Sequence, residues 1–269
     1  MEHELIPYQA TFRIGCTRML VLAPHPDDEV FGCGGAILRH ASLGDAVHVI
    51  IASDGAFHAE AEQKARHTAM RQAESNAAAS IMGYGLPEYW GLPDRGITCD
   101  ESLIQRIAAA IAAFKPDLVM APSIFEVHPD HLALGTAALA AVRRHEYPLS
   151  LAMYEVGVPM QRPNVLLDIS DLQARKQQAM ACFASQLKTQ RYDLHIQALN
   201  RFRTYTLGSQ VTAAEAYFLL RPGESLPAVD AQQRADALQK TLDTILHSRS
   251  WRFSAPLRAL ARWLRSRSA

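Results

Sequence analysis

These 269 residues lack the features that mark disulfide-rich, cysteine-rich zinc-binding, nucleic-acid-binding or membrane-spanning proteins. The four cysteines, at positions 16, 33, 99 and 182, form no C-x-x-C pair. Their scatter argues against a disulfide framework and against a cysteine-rich zinc site, and it suits a reducing compartment. The formal net charge is zero, so the overall charge of the chain gives no reason to expect nucleic-acid binding.

Targeting and membrane-spanning segments are also missing from the pattern. No stretch approaches the ~18 consecutive apolar residues that a membrane span needs. The first residues, MEHELIPYQ, carry two glutamates and no apolar core of a signal peptide. We therefore predict a cytoplasmic protein. Its 49% hydrophobic and 20% charged residues are ordinary for a globular chain of one large domain with an appendage.

Short apolar runs alternate with helix-forming segments along most of the chain. The runs predict strands at 19–23, 47–52, 89–92, 117–121, 151–156, 164–169 and 215–220. The intervening segments predict helices at 32–43, 60–82, 102–114, 132–144, 171–187 and 190–203. This alternation predicts an α/β, Rossmann-like fold with a mostly parallel sheet and helices on both faces.

Two stretches rich in histidine and acid follow predicted strands. "HPDDE" at 25–29 comes directly after the first strand, and "HPDH" at 128–131 comes after the fourth. In a doubly wound sheet, ligands bind beyond the carboxyl ends of the strands, at the switch in strand order. In the commonest orders the first strand lies beside the third or fourth across that crevice. We therefore predict that both stretches face one cleft.

The residue types in the two stretches suit a catalytic metal site. Two histidines and one carboxylate with an open fourth position are typical of catalytic zinc, although other first-row divalent metals accept the same ligands. Zinc lowers the pKa of a bound water to about 7. A spare carboxylate and a spare histidine beside the metal could serve as base and acid. One Zn²⁺ per chain is the cofactor we predict.

Two simpler interpretations compete with a metal site. Acids at a helix start interact favourably with the helix dipole and cap the first turn, and an isolated PDDE or HPDH would be read that way. The occurrence of both after strands, each with histidine and acid, favours chemistry. The second interpretation is dinucleotide binding by "GCGG" at 32–35, but position 37 is Ile where that fingerprint needs Gly or Ala.

At these residues the chain resembles the PIG-L/LmbE family of metal-dependent N-deacetylases. The resemblance rests on "PHPDDE" at 24–29, with Pro for the usual Ala, and on "HPDH" at 128–131. It extends over roughly residues 18–220. Smaller similarities are GxGG at 32–35, SDG at 53–55, Arg71 with Glu74, and SQ at 185–186.

The resemblance implies an activity and a ligand set. The activity is a zinc-dependent hydrolysis of a linear amide. It removes the N-acetyl group from an N-acetylglucosamine-type sugar within a larger conjugate. The implied metal ligands are His25, Asp28 and His131.

Four further residues receive roles from the same resemblance. Asp27 looks like the general base, and His128 looks like the group that stabilises the oxyanion or protonates the leaving amine. Asp130 looks like a carboxylate that orients a histidine. Arg71 is similar to an arginine near the sugar, with a solvated helix face as an equal alternative.

Two other functions stay open at this point. One is a zinc amidase that acts on a different N-acyl group or on a thiol-linked amino-sugar conjugate. The other is a non-catalytic glycan-binding or scaffold subunit. The spare base and spare acid argue against the second.

The last residues differ from the rest in composition. We predict a deacetylase domain at 1–221 and, at 222–269, a linker followed by a helical tail whose end holds six arginines and no acid. Similar endings occur on proteins of bacterial surface-polysaccharide pathways, which suggests a role in surface-glycan biosynthesis. The tail is either a helix docked on the domain or a twin subunit, or a basic amphipathic helix that contacts the inner membrane peripherally.

Overall fold

The computed structural model describes residues 7–57 and 60–224, together with positions 226 and 247. The chain divides into two units after Pro222, and every element described below belongs to the first, Met1–Pro222. Apart from a few isolated positions, the basic tail lies outside the described residues, so its helix and its role stay predictions. Across the described residues, no helix has both the length and the apolar character needed to cross a membrane.

Seven strands of the described chain form one sheet: β1 (Arg18–Ala23), β2 (Ala46–Ser53), β3 (Glu88–Leu92), β4 (Leu118–Pro122), β5 (Ser150–Tyr154), β6 (Val165–Asp168) and β7 (Ala214–Leu220). Their order across the sheet is β3-β2-β1-β4-β5-β7-β6. Strands β1 to β5 are parallel, whereas β7 runs antiparallel to both of its neighbours. The predicted mostly parallel α/β sheet is confirmed.

The described residues also form seven α-helices: α1 (Asp28–Ser42), α2 (Lys64–Met82), α3 (Glu101–Phe114), α4 (Pro129–Arg143), α5 (Gln173–Met180), α6 (Ala184–Leu187) and α7 (Tyr192–Phe202). Most lie within a few residues of their predicted positions. Two predictions were wrong. The first helix begins at Asp28 rather than at 32, and the single helix predicted over 171–187 is divided, because Phe183 leaves helical geometry and is fully buried in the core.

The centre of the sheet explains the continuous apolar runs of the sequence. Every residue of β1 after Arg18, and every residue of β4, is buried, since helices cover both faces of the parallel strands. The two strands pair directly, with Met19 opposite Leu118 and Val21 opposite Met120. Their carboxyl ends therefore open side by side, and the loops that follow them meet at one edge of the sheet.

Candidate metal centre

The loops after β1 and β4 present histidine and acid in different local structures. His128 is the N-cap of α4, and its Nδ1 accepts a hydrogen bond of 3.3 Å from the backbone N–H of Asp130. The capping interpretation therefore holds for that histidine. It fails at α1, where Asp27 occupies the N-cap position without a side-chain cap hydrogen bond. Asp28 and Glu29 do lie in the first turn of α1, and Glu29 accepts the N–H of Asp27, so capping accounts for Glu29 but not for the carboxyl of Asp27.

Three donor atoms from the two loops form a small buried triangle. His25 Nδ1 lies 3.1 Å from Asp28 Oδ2, His131 Nε2 lies 3.2 Å from the same oxygen, and the two nitrogens are 3.3 Å apart. All three residues are buried. Four ligands at 2.0–2.2 Å around a tetrahedral zinc lie about 3.3–3.6 Å from one another. The triangle is close to the size that one such ion requires.

The chemistry of the three atoms fits a cation as well. His25 Nε2 lies 3.1 Å from Asp130 Oδ2, which places the proton of a neutral His25 ring on Nε2 and leaves a lone pair on Nδ1. That lone pair faces a carboxylate oxygen and a second imidazole nitrogen. Atoms of this kind attract either a metal ion or added protons. The site can therefore hold one divalent metal.

The pKa values of the three residues of the triangle are shifted by the same contacts. Burial opposes protonation of His25, but hydrogen bonds to Asp130 and Asp28 outweigh it and raise the pKa of the ring well above its ordinary value. Burial likewise opposes protonation of His131, whose pKa is raised by Asp28. Burial opposes ionisation of Asp28, yet His131 and His25 lower the pKa of its carboxyl. The same atoms that would bind a metal ion thus also favour protonation of the imidazoles.

Asp130 supports His25 from behind, in the position predicted for a carboxylate that orients a histidine. The residue is fully buried. Besides the contact with His25, its Oδ2 accepts the N–H of Arg95 at 2.7 Å and its Oδ1 accepts the N–H of Ile97 at 3.2 Å. The carboxylate is thus fixed by backbone donors and fixes the imidazole in turn.

Replacing Asp130 with Asn is expected to weaken metal binding about 10–100-fold, because the amide cannot accept from all three donors and His25 loses its orientation. Titration of the purified variant with Zn²⁺ against a chelator of known affinity measures the effect.

Asp117→Asn is the matched control, since Asp117 also accepts two backbone N–H groups, from Thr17 and Arg18, but at the opposite end of β1. An equal loss of affinity in both variants would mean that Asp130 acts only through stability.

Asp27 has the most unusual backbone of the site. Its φ of 141° and ψ of −30° lie in a region that side-chain-bearing residues rarely adopt. Its N–H donates to Glu29 Oε2 at 2.9 Å, and its Oδ2 lies 3.0 Å from Arg71 Nη2. Burial raises the pKa of Asp27 to about 7, against the opposing effect of Arg71. A carboxyl with that pKa exchanges protons readily near neutral pH.

Arg71 is not on a solvated helix face, so that half of its prediction was wrong. The side chain is buried and donates from Nη2 to the carbonyl of Pro26 and to Asp27. Most of the other charged residues of α2 lie on the same side of the helix as Arg71, and all of them are exposed or half-buried, so the sequence gave no sign that Arg71 is covered. Arg71 lies against the predicted base, and a role in contacting a sugar stays a proposal.

Two acids at the site were missed or left unplaced from the sequence. Asp94, just beyond β3, has Oδ1 3.4 Å from His25 Nε2. Its strand tip follows the same topological rule as the other two, so the rule could have identified it. Glu126 accepts the N–H groups of Val156 and Gly157, and its Oε2 lies 3.9 Å from His131 Nδ1. Nothing local in the sequence marks that contact.

These residues open onto a cavity of about 460 Å³. Its lining includes the residues of the donor triangle, Asp27 and His128, together with residues of α6 and α7. Its walls include Phe57, His67, Arg71, Ser185, Gln186 and Tyr192. The volume falls in the range of cavities that bind small molecules. The two predicted stretches therefore share one cleft, as the topology rule required.

Comparison with known proteins agrees with this geometry. The family model described as PIG-L, GlcNAc-PI de-N-acetylase, matches residues 20–142, which contain both histidine-bearing stretches. The chain resembles the PIG-L family over this region, which is a little under half of its length. The predicted resemblance to this family is confirmed, and with it the assignment to the amide-hydrolysing deacetylases.

The relatives of this chain differ in their named activities. A 4-oxalmesaconate hydratase of Pseudomonas putida is 28% identical over 189 residues, 62% of this chain and 73% of the relative. A diacetylchitobiose deacetylase of Thermococcus kodakarensis is 25% identical over 194 residues, 66% of this chain and 73% of the relative. The structure of N,N'-diacetylchitobiose deacetylase from Pyrococcus horikoshii superposes with a TM-score of 0.68 at 22% identity, covering 76% of this chain and 84% of that one. At that identity the superposition shows the fold alone.

Proposed function

We propose that this chain is a zinc-dependent N-deacetylase. Its substrate is an N-acetylated amino sugar of the N-acetylglucosamine type within a larger conjugate. The observation that carries the proposal is the convergence of three elements in one cavity: the donor triangle, a carboxyl with a pKa near 7, and a third histidine, His128, beside them. A relative named as a diacetylchitobiose deacetylase supports the choice of an amino sugar.

The proposed ligands are His25, Asp28 and His131. A zinc ion bound by them would polarise the acetamide carbonyl and make a bound water more acidic. Other first-row divalent metals suit the same ligands. Asp130 backs His25 with a hydrogen bond that orients the ring, whereas the carboxylate of Glu126 lies 3.9 Å from Nδ1 of His131, beyond hydrogen-bond distance.

Asp27 is the proposed general base and takes the proton of the attacking water. Its strained backbone, fixed by Glu29 and Arg71, holds the carboxyl at the cavity edge without rearrangement. Attack on the acetamide carbon, followed by C–N cleavage, yields acetate and a free amine.

His128 is the residue that we propose to stabilise the oxyanion and to contact the leaving amine. Because its Nδ1 accepts the N–H of Asp130, a neutral ring carries its proton on Nε2, where it can donate into the cavity. Burial and the nearby His25 and His131 lower the pKa of His128. The ring is therefore a neutral hydrogen-bond donor to the oxyanion, and the proton that Asp27 takes from the water is the one that the leaving amine receives.

We further propose that the protein acts in bacterial surface-glycan biosynthesis. It would do so in the cytoplasm, with its basic tail at the inner membrane. That part rests on the sequence of residues 222–269 and on no observation within the described chain. The proposed boundary between domain and tail at 221 and 222 rests on the same change of composition.

The test of the function is acetate release by purified protein, stripped with a chelator and reloaded with Zn²⁺. The panel contains N,N'-diacetylchitobiose, nucleotide-linked and alkyl-linked N-acetylglucosamine, an N-propionyl analogue, a thiol-linked amino-sugar conjugate and 4-oxalmesaconate. We expect zinc-dependent acetate and free amine in equal amounts.

Every other result counts against the proposal in a specific way. Turnover confined to other acyl groups or to the thiol conjugate indicates a different amidase. Loss of 4-oxalmesaconate without acetate indicates a hydratase, the activity for which one relative is named. Stoichiometric zinc without turnover of any compound indicates a glycan-binding subunit.

A further inference from the structure

Lys176 and Glu215 form a deeply buried ion pair that the proposed reaction does not use. Lys176 Nζ lies 2.7 Å from Glu215 Oε1, and the two side chains are 2% and 1% exposed. Because removing two charges from water is costly, such a pair adds little stability compared with apolar side chains of similar volume. Its contacts with α1 indicate another role.

The pair occupies an interruption in the hydrogen bonding of α1. In a regular helix the N–H of Gly35 would donate to the carbonyl of Phe31. Here the N–H of Gly35 donates to Glu215 Oε1 at 2.6 Å, and the carbonyl of Phe31 accepts from Lys176 Nζ at 3.1 Å. Cys33, between them, has the non-helical angles φ −139° and ψ 25°. The ion pair thus supplies partners to both groups at a kink.

The charges also match the two helix segments that the kink creates. Glu215 accepts the N–H groups of Gly35 and Ala36, so an anion lies at the amino end of the second segment. Lys176 lies at the carboxyl end of the first segment, where a cation is favourable. Asn200 Oδ1 accepts a further hydrogen bond from Lys176 at 3.1 Å, and the hydroxyl of Tyr217 donates to Glu215.

The glycines of "GCGG" leave room for this arrangement. A Cβ at Gly32 would lie 2.3 Å from Cδ2 of Tyr154, and one at Gly35 would lie 2.4 Å from Cγ2 of Ile169 and 2.8 Å from Oε2 of Glu215. These three distances are shorter than the contacts that a real Cβ atom makes with non-bonded atoms. The glycines therefore serve close packing around the kink, and the dinucleotide interpretation of the motif is not needed.

We infer that Lys176 and Glu215 are positioning residues that set the direction of the first turn of α1 and, through it, of the metal ligand Asp28 and the adjacent Asp27. This inference rests on the proposed metal site. The first segment of α1 is a single helical turn, Asp28 to Gly32, so the kink behind it determines where its side chains point. The pair lies on α5 and β7, elements remote in sequence from the turn that they fix.

The test is the double variant Lys176→Met with Glu215→Gln, which removes both charges and leaves no unpaired ion in the core. We expect the folded variant to bind Zn²⁺ about 10–100-fold more weakly than the wild type. The visible absorption of the Co²⁺-loaded protein, which reports ligand geometry, should change as well. Asn200→Ala, which removes only one acceptor of Lys176, should change both readouts less and in the same direction.

Leu166→Ala is the control for a merely structural effect. Leu166 is buried in a smaller apolar cluster around β6, and its truncation lowers stability without touching α1. If this control lowers Tm as much as the double variant and leaves zinc affinity unchanged, the positioning role is supported. Wild-type zinc affinity and Co²⁺ spectrum in both the double variant and Asn200→Ala would overturn it.

The result for the wild type separates this inference from the proposed function. A wild-type chain that binds no divalent metal overturns both together. A wild-type chain that binds zinc and releases acetate, beside variants that bind it equally well, overturns the positioning role alone.

Discussion

Asp27→Asn is expected to retain its zinc and to lose about 10²–10⁴-fold in kcat, the usual contribution of a general base. Asn has the shape of Asp, still offers an oxygen to Arg71, and is among the residues that best tolerate a positive φ. It cannot take a proton from water. The metal ligands are unchanged, so a loss of turnover at full metal content assigns the defect to proton transfer.

The measurement is kcat for acetate release at saturating substrate, beside zinc content by elemental analysis. Asp100→Asn is the matched control. Asp100 caps α3 by accepting the N–H of Leu103 at 2.9 Å, and Asn caps equally well. The control should therefore behave as the wild type. Normal turnover in Asp27→Asn would remove Asp27 from the role of base.

His131→Ala is expected to abolish zinc binding at micromolar metal. The substitution removes one of three donors and leaves only His25 and Asp28 on the other loop. A metal that binds only the folded chain stabilises it by about 2.7 kcal/mol when free metal is 100 times Kd. The wild type should therefore melt at a higher temperature with zinc than with chelator, and the variant should show no such difference.

His145→Ala is the control for this second result. His145 lies just after α4, edge-on to the ring of Tyr147 with ring centroids 4.1 Å apart, and it does not line the cavity of the site. It should retain both the bound zinc and the zinc-dependent rise in Tm. If His131→Ala keeps a full equivalent of zinc with the same rise in Tm, the proposed ligand set is wrong.

The meeting of the two histidine-bearing stretches could be predicted because topology constrains it. A chain of alternating strands and helices places β1 at the switch in strand order, and residues at its tip then face those after β4. His25 and His131 are 106 positions apart, yet their ring nitrogens lie 3.3 Å from each other. The strand order and the direction of each strand were enough to anticipate that the two stretches face one cleft.

The start of α1 and the burial of Arg71 depend on long-range contacts that no local sequence pattern predicts. The predicted helix began at Gly32 and left the acids before it in a loop, whereas α1 begins at Asp28 and the Lys176–Glu215 pair bridges the interruption at Cys33. A single lysine in one helix and a single glutamate in one strand look like ordinary surface charges in the sequence. The burial of Arg71 was undecided for the same reason.

Long-range pairing of β1 with β4 has a kinetic consequence. An ion held by ligands from both loops would tie together two points that the unfolded chain keeps far apart, and the strands could not separate until the ion leaves. Folding of the metal-free chain would still have to close a loop of about a hundred residues unaided. Zinc should therefore mainly slow unfolding, which lengthens the lifetime of the folded protein, and it should leave the folding rate almost unchanged.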